Sequence, residues 1–164
     1  MKTLYLIRHA KSSWDNPSLM DKERPLKKRG KNDSLVMGDW LKKQKEQPSL
    51  FVSSPAKRAF STAKRIAKVL NSSNLEIQQN EGLYFNGTGK ILEVIRSAKD
   101  DMDVVAVFGH NPDITLLANQ FDGKPILNVP TCGVLKVEFD VNKWKQVDVS
   151  NGKIKEFEVP KNLR

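Results

Sequence analysis

The chain has 164 residues, 38% hydrophobic and 29% charged, which suits one globular domain, predicted to span residues 1–164. No apolar run approaches the roughly 20 residues that cross a bilayer, and no signal peptide is recognisable. The single cysteine excludes an internal disulfide. We therefore expect a cytoplasmic protein without membrane contact. The net charge is +9, from 28 Lys and Arg against 19 Asp and Glu, but no aromatic residues are interleaved with the lysines, which argues against nucleic acid as the partner.

Apolar β-rich runs alternate with helical patterns along the chain, as is typical of an α/β domain with a mainly parallel sheet. The first run, residues 3–7, predicts a central strand, and a polar loop follows it to about Pro25. A helix is predicted from Leu26 to about Gln47. Its predicted apolar stripe consists of Leu35, Val36, Trp40 and Leu41.

The middle of the chain predicts a strand at residues 50–52 and a helix from about Pro55 to Leu70. Ser54 is the expected N-cap of this helix, because its hydroxyl oxygen can accept a backbone N–H, and Pro55 would occupy the first helical position. An edge strand at 75–77 and a helix at 90–98 follow.

The continuous apolar run 104–108 predicts a buried parallel strand, which Gly109 ends before a helix that runs to about Phe121. The tail alternates in polarity, which predicts one strand that includes Val137 and another that includes Val147 and Val149. A turn is predicted at Asn151-Gly152. The predicted fold is a single α/β domain with helices on both faces of a mainly parallel, twisted sheet and an antiparallel part near the C-terminus.

Both histidines of the chain stand at the ends of predicted strands. His9 follows the first strand beside Arg8, and His110 follows the strand at 104–108. Arg58 lies one turn into a helix that also begins just after a strand. Ligands bind at the carboxyl ends of strands in open α/β sheets, so we expect these four side chains to meet at one edge. A purely structural role remains the alternative for either histidine alone.

This set of residue types points to phosphate chemistry. The arginine fork matches phosphate oxygens, and the helix N-termini predicted near Ser54 and Asn111 add backbone N–H groups. A neutral imidazole among cations is a good nucleophile toward phosphorus. A metal site is a poor alternative, because two histidines and one cysteine surrounded by arginines would repel a divalent cation.

Several motifs together resemble the histidine phosphatase superfamily and, within it, the SixA-type phosphohistidine phosphatases. The resemblance covers the chain from Met1 to about Asp140. It rests on Arg8-His9-Ala10-Lys11-Ser12-Ser13-Trp14, Asp21, Arg24-Pro25-Leu26, Arg29-Gly30, Ser53-Ser54-Pro55, Arg58, Thr62-Ala63, Gly109-His110-Asn111-Pro112 and Pro130-Thr131-Cys132-Gly133. It implies a phosphoglycerate-mutase-like fold that needs no cofactor and no metal.

The resemblance also implies roles for individual residues. His9 would be the nucleophile that becomes phosphorylated, in a phosphate pocket lined by three further catalytic residues, Arg8, Arg58 and His110. Lys11, Ser12 and Asn111 would contact substrate, Asn111 through its backbone N–H. For Lys11 and Ser12, an exposed polar loop is the alternative. Arg24 and Arg29 are expected to have structural or rim roles.

The general acid is less clearly marked. Glu81 lies in the region where many members of the superfamily carry a carboxylate that protonates the leaving oxygen, and a surface carboxylate is the alternative. An alkoxide leaving group needs such a proton. The imidazole released from phosphohistidine is less basic, with a conjugate-acid pKa of about 6.5, and needs it less.

The resemblance therefore implies a metal-independent phosphatase with a phosphohistidine intermediate, acting on phosphohistidine carried by a protein. Two alternatives remain open. One is a general small-molecule phosphomonoesterase of the same superfamily, with a small phosphorylated substrate. The other is a phosphate-binding module without turnover.

Overall fold

The computed structural model describes residues 1–164 and places six strands in one sheet. The strands are β1 (Lys2–Arg8), β2 (Leu50–Ser53), β3 (Glu76–Gln79), β4 (Val104–Gly109), β5 (Val134–Phe139) and β6 (Gly152–Glu158). Their order across the sheet is β3-β2-β4-β1-β5-β6. The first four of these pair in parallel, whereas β5 is antiparallel to both β1 and β6. The mainly parallel sheet with an antiparallel part near the C-terminus is confirmed.

Four α-helices cover the sheet: α1 (Lys28–Lys42), α2 (Lys57–Leu70), α3 (Thr88–Arg96) and α4 (Asp113–Ala118). Side chains alternate between the two faces of a strand, and β1 shows this directly. Leu4 and Leu6 belong to the core beneath α3 and α4, whereas Tyr5 and Ile7 belong to the core beneath α1 and α2. The prediction of helices on both faces is therefore confirmed. None of the helices is long and apolar enough to cross a membrane.

The predicted apolar stripe of α1 is correct only in part: Leu41 is buried and Trp40 packs against the core, but other positions differ. Leu35 is 43% exposed, whereas Asp33 and Ser34 are buried. The polar residues tolerate burial because Asp33 accepts two hydrogen bonds from Arg164, at 2.8 and 3.2 Å, and the Ser34 hydroxyl donates to the Gly30 carbonyl oxygen over 2.8 Å. The helix also begins and ends inside its predicted bounds.

A close approach of backbones decides the position of α1. A Cβ atom at Gly30 would lie 2.2 Å from the carbonyl oxygen of Lys11, so only glycine allows the helix to reach the loop after β1. The helix thus packs against the segment that carries the nucleophile candidate, and it limits how far that segment can move.

Four further expectations about elements and their ends are wrong. The helix α2 begins at Lys57 with Ala56 as N-cap, so Ser54 does not cap it, and α4 ends at Ala118 instead of Phe121. Val147 follows one short 3-10 segment and Val149 begins another, so neither lies in a strand. Gly152 opens β6, so the predicted turn at this position is replaced by the start of the last strand.

Candidate active site

The pairing of two parallel strands brings both histidines together. Ile7 and Arg8 in β1 align with Phe108 and Gly109 in β4. The backbone N–H of His9 continues this register by donating to the Gly109 carbonyl oxygen over 3.1 Å. The ring centroids of His9 and His110 consequently lie 5.1 Å apart at the carboxyl edge of the sheet. This is the edge at which open α/β sheets bind ligands.

The hydrogen bonds of His9 select one tautomer. Its Nδ1 lies 2.8 Å from the Ala10 carbonyl oxygen, and a carbonyl oxygen only accepts, so Nδ1 carries the proton. The Nε2 atom then keeps its lone pair. Two further hydrogen bonds hold the loop after β1 that contains His9 and Ala10. The Thr62 hydroxyl accepts from the Ala10 N–H over 3.0 Å. The Cys132 N–H donates to the His9 carbonyl oxygen over 3.0 Å.

The surroundings of His9 keep its ring uncharged. Burial lowers the pKa of His9 to about 3, although the hydrogen bond to Ala10 opposes this, and the positive charges of Arg58 and Arg8 lower it further. A group with such a pKa is neutral throughout the physiological range. His9 therefore presents an unprotonated Nε2 atom, the form of imidazole that attacks phosphorus.

His110 is equally neutral and is held by Ser54. Burial, together with the neighbouring His9 and Arg58, lowers the pKa of His110 to about 3. Its Nε2 atom lies 2.8 Å from the Ser54 hydroxyl, which also accepts from the Ala56 N–H over 3.2 Å. The Nδ1 atom of His110 is buried without a hydrogen-bond partner. Ser54, predicted as a helix cap, thus positions His110 instead.

The two arginines supply the positive charge of the site. Arg8 donates from Nη1 to the Val129 carbonyl oxygen over 3.0 Å, and its Nε atom is buried without a partner. Arg58, from the first turn of α2, is 2% exposed. Burial lowers the pKa of Arg8, and the positive charge of Arg58 lowers it further.

Asp21 is a site residue to which the sequence pattern assigns no role. Its carboxylate accepts from Arg58 over 2.9 Å and from Arg24 over 3.1 Å, and the hydroxyl of Tyr84 also donates to it. Burial raises the pKa of the Asp21 carboxyl, but the hydrogen bonds from Tyr84 and Arg58 outweigh it and hold the pKa at about 2. Asp21 is therefore an anion between the arginines.

An aromatic pair packs against His110. The ring of Phe85 stacks on His110 with centroids 4.6 Å apart, and Tyr84 meets the same histidine edge-on at 5.4 Å. Phe85 has a φ of 56°, a left-handed conformation that is strained for an aromatic residue. His9 is 7% exposed and His110 is 1% exposed. Both histidines are therefore largely shielded from solvent.

The residues expected to touch substrate take different positions. Lys11 is exposed beside the nucleophile. Ser12 is buried, and its hydroxyl accepts a hydrogen bond from Arg24, so it belongs to the support of the loop. The side chain of Asn111 bonds to Asn128 and to the backbone at Val129, both at 3.0 Å, and to Thr115. Its backbone N–H has no partner within the chain.

Glu81 lies at the rim. Its side chain is 73% exposed and forms an ion pair with Lys22 at 2.9 Å. The ammonium group of Lys22 also lies 4.8 Å from the centre of the Tyr84 ring. No hydrogen bond joins Glu81 to either histidine or to Arg58. Arg29 is also peripheral, 3.7 Å from Asp33, whereas Arg24 stacks on Trp14 and binds Asp21.

Comparisons with known proteins show the family to which the chain belongs. The family model described as histidine phosphatase superfamily (branch 1) matches residues 4–84, which include Arg8, His9 and Arg58. An uncharacterized chloroplastic protein of Arabidopsis thaliana is 30% identical over 159 residues, covering 92% of this chain and 72% of the relative.

Two solved structures share the fold. The protein histidine phosphatase SixA complexed with tungstate has a TM-score of 0.82 at 23% identity, with 99% of each chain covered. A phosphoglycerate mutase from Bacillus anthracis has a TM-score of 0.65 at 21% identity, with 92% of each chain covered. The phosphoglycerate-mutase-like architecture is therefore confirmed, and the chain belongs to the histidine phosphatase superfamily.

Proposed function

We propose that this chain hydrolyses phosphohistidine on a protein through a phosphorylated His9. The observation that carries the proposal is the state of His9: its Nδ1–H is bound by the Ala10 carbonyl, and its ring is kept neutral beside Arg8 and Arg58. A neutral nucleophile within a cationic pocket is what phosphoryl transfer requires.

The reaction proceeds in two displacements. In the first, the Nε2 lone pair of His9 forms a bond to phosphorus while the bond from phosphorus to the substrate imidazole breaks, and the released imidazole takes up a proton from solvent. In the second, water attacks phosphorus, the bond to His9 breaks, and inorganic phosphate leaves. Arg8 and Arg58 stabilise the negative charge on the phosphoryl oxygens in both steps, which is the main catalytic contribution expected of this pocket.

The position of Glu81 supports a leaving group that needs little protonation. Its carboxylate is exposed and paired with Lys22 at the rim, and Asp21, with a pKa of about 2, is deprotonated at neutral pH. An alkoxide, which must be protonated as it leaves, is poorly served by such a site. A substrate imidazole has a conjugate acid with a pKa of about 6.5 and leaves more readily.

Exposed aromatic side chains near the site support an aromatic leaving group. Phe85 is 48% exposed and Trp14 is 72% exposed, and Tyr84 lies beside Phe85 with ring centroids 4.8 Å apart. Aromatic faces pack well against an imidazole ring. A sugar phosphate or a phosphoglycerate would instead require polar groups arranged around its hydroxyl and carboxylate oxygens.

The direct test is a substrate panel of phosphohistidine protein, phosphoserine peptide, sugar phosphate and p-nitrophenyl phosphate. We expect the highest kcat/KM for phosphohistidine, and turnover that survives exhaustive EDTA treatment but is inhibited by vanadate. A preference for the sugar phosphate would favour the small-molecule phosphomonoesterase, and binding of phosphate without turnover of any substrate would favour the binding module. A strict requirement for added Mg²⁺ or Zn²⁺ would contradict the metal-independent mechanism.

A further inference from the structure

A cationic depression lies between the start of α1 and the first nine residues of α2, outside the His9 pocket. Its volume is about 330 Å³, and four basic side chains line it: Lys31 from α1, and Lys57, Lys64 and Arg65 from α2. The remaining wall is formed mainly by Pro25 and Leu26. None of these residues contacts His9 or His110 through a side chain.

The positive charges in this depression have no anionic partner within the chain. Lys31, Lys57, Lys64 and Arg65 are absent from all ion pairs of the protein, whereas ten other ion pairs are formed elsewhere. The Nε atom of Arg65 is buried without a hydrogen-bond partner. An unpaired buried N–H of a guanidinium group is costly, and convergent like charges repel one another, so this arrangement favours a bound anion.

The depression is preorganised by the scaffold. Lys57, Ser61 and Lys64 follow one another at helical spacing along a single face of α2. A Cβ atom at Gly38 would lie 2.9 Å from the side chain of Val69, which shows how closely α1 packs on α2. Lys64 is also held by the ring of Phe60, 4.7 Å from its ammonium group.

From these features we infer that the depression binds a compact polyanion with at least two phosphate groups. Three ammonium groups and one guanidinium group carry four positive charges, which a single phosphate neutralises only in part, since it carries at most two negative charges at neutral pH. The guanidinium fork of Arg65 suits phosphate oxygens. The site is a concave pocket of limited volume with no aromatic platform, which favours a short phosphate chain over an extended nucleic acid.

Inorganic tripolyphosphate is the probe for this site. In an NMR titration we expect shifts in the backbone amides of Lys57, Ser61 and Lys64 at concentrations that leave the ring signals of His9 and His110 unchanged. Calorimetry should show one equivalent bound, with an affinity that falls as salt is added. Turnover of p-nitrophenyl phosphate is the independent readout of the His9 pocket, so the inference and the proposed function fail separately.

A pair of variants with the same change in net charge tests the location. Lys57→Gln with Lys64→Gln, both exposed positions, should weaken tripolyphosphate binding about tenfold or more. Lys42→Gln with Lys43→Gln, exposed at the other end of α1, should change it less than twofold. Four outcomes would each overturn the inference. Two concern location: equal losses of affinity in both variant pairs, or chemical-shift changes confined to the histidines. Two concern the ligand: equally tight binding of orthophosphate, or tighter binding of a short oligonucleotide with shifts across the basic surface.

Discussion

The carboxylate of Asp21 holds the guanidinium group of Arg58. Arg58 donates from Nη2 to the carboxylate over 2.9 Å and from Nη1 to the backbone carbonyl oxygen of Asp21 over 2.8 Å. Arg24 binds the other carboxylate oxygen, and Tyr84 donates its hydroxyl hydrogen to the same side chain. The arginine proposed to bind the phosphoryl group therefore carries an anionic partner from its own chain, so an incoming phosphate competes with Asp21.

The variant Asp21→Asn should strengthen inhibition by inorganic phosphate. It removes a negative charge that repels phosphate and weakens the hold on Arg58. Because Asp21 is 42% exposed at its side chain, solvent screening keeps the expected gain at about 1 kcal/mol, or about fivefold in Ki. The measurement is the Ki for phosphate at constant ionic strength.

Asp15→Asn makes the same charge change in the same loop without a contact to an arginine, so it should leave the Ki for phosphate within about twofold. If Asp21→Asn instead weakens phosphate binding and lowers kcat, Asp21 positions Arg58 for catalysis and does not compete with the substrate.

The histidine rings should remain neutral in mildly acidic solution. Both have a pKa of about 3, lowered by burial, and a lowered pKa means that the uncharged form persists as the pH falls, until the pH approaches 3. An NMR titration of the only two histidines should thus show no ring protonation between pH 7.5 and 5, and should identify His9 as the Nδ1–H tautomer. A midpoint near 6.5 for His9 would contradict the described environment.

The variant Arg58→Ala should lower kcat/KM without unfolding the chain. Loss of one donor to the transferring phosphoryl group is worth about 2–4 kcal/mol, roughly a 30- to 900-fold decrease. Circular dichroism monitors the fold, and Lys68→Ala, an exposed position near the other end of α2, is the matched control. Equal activity of both variants would place the phosphate elsewhere.

The strand ends and the histidines were predictable because they depend on local patterns. Apolar runs identify β1 and β4, and parallel pairing of these strands then brings His9 and His110 to one edge. The motif around Arg58 likewise anticipates its place at the start of α2. These features follow from strand periodicity and from the residue types that phosphate requires.

The positions of Asp21, Tyr84 and Phe85 around the site were not predictable, because they depend on contacts between distant loops. Asp21 and Tyr84 are 63 positions apart, and they lie in or beside 3-10 turns of only three residues. Phe85 reaches His110 only through a left-handed backbone conformation that no simple pattern marks. The apolar stripe of α1 was predicted only in part for a similar reason: Arg164, from the far end of the chain, makes burial of Asp33 favourable.

The variant Glu81→Gln should leave phosphohistidine hydrolysis within about threefold of the original, because the carboxylate is exposed and bound to Lys22. The comparison is kcat/KM for a phosphoramidate and for an alkyl phosphate. Glu93→Gln, which removes another exposed ion pair at 3.2 Å, is the matched control. A loss of about 10²-fold on the phosphoramidate would make Glu81 an essential acid.

The identity of the nucleophile is tested most directly by trapping the phosphorylated enzyme. Rapid quenching of the chain with ³²P-labelled substrate, followed by peptide mapping at alkaline pH, should find an acid-labile phosphoryl group on Nε2 of His9. The variant His9→Ala should carry no such label and show no turnover, while its fold remains intact by circular dichroism. Label on any other residue, or wild-type turnover by His9→Ala, would contradict the mechanism.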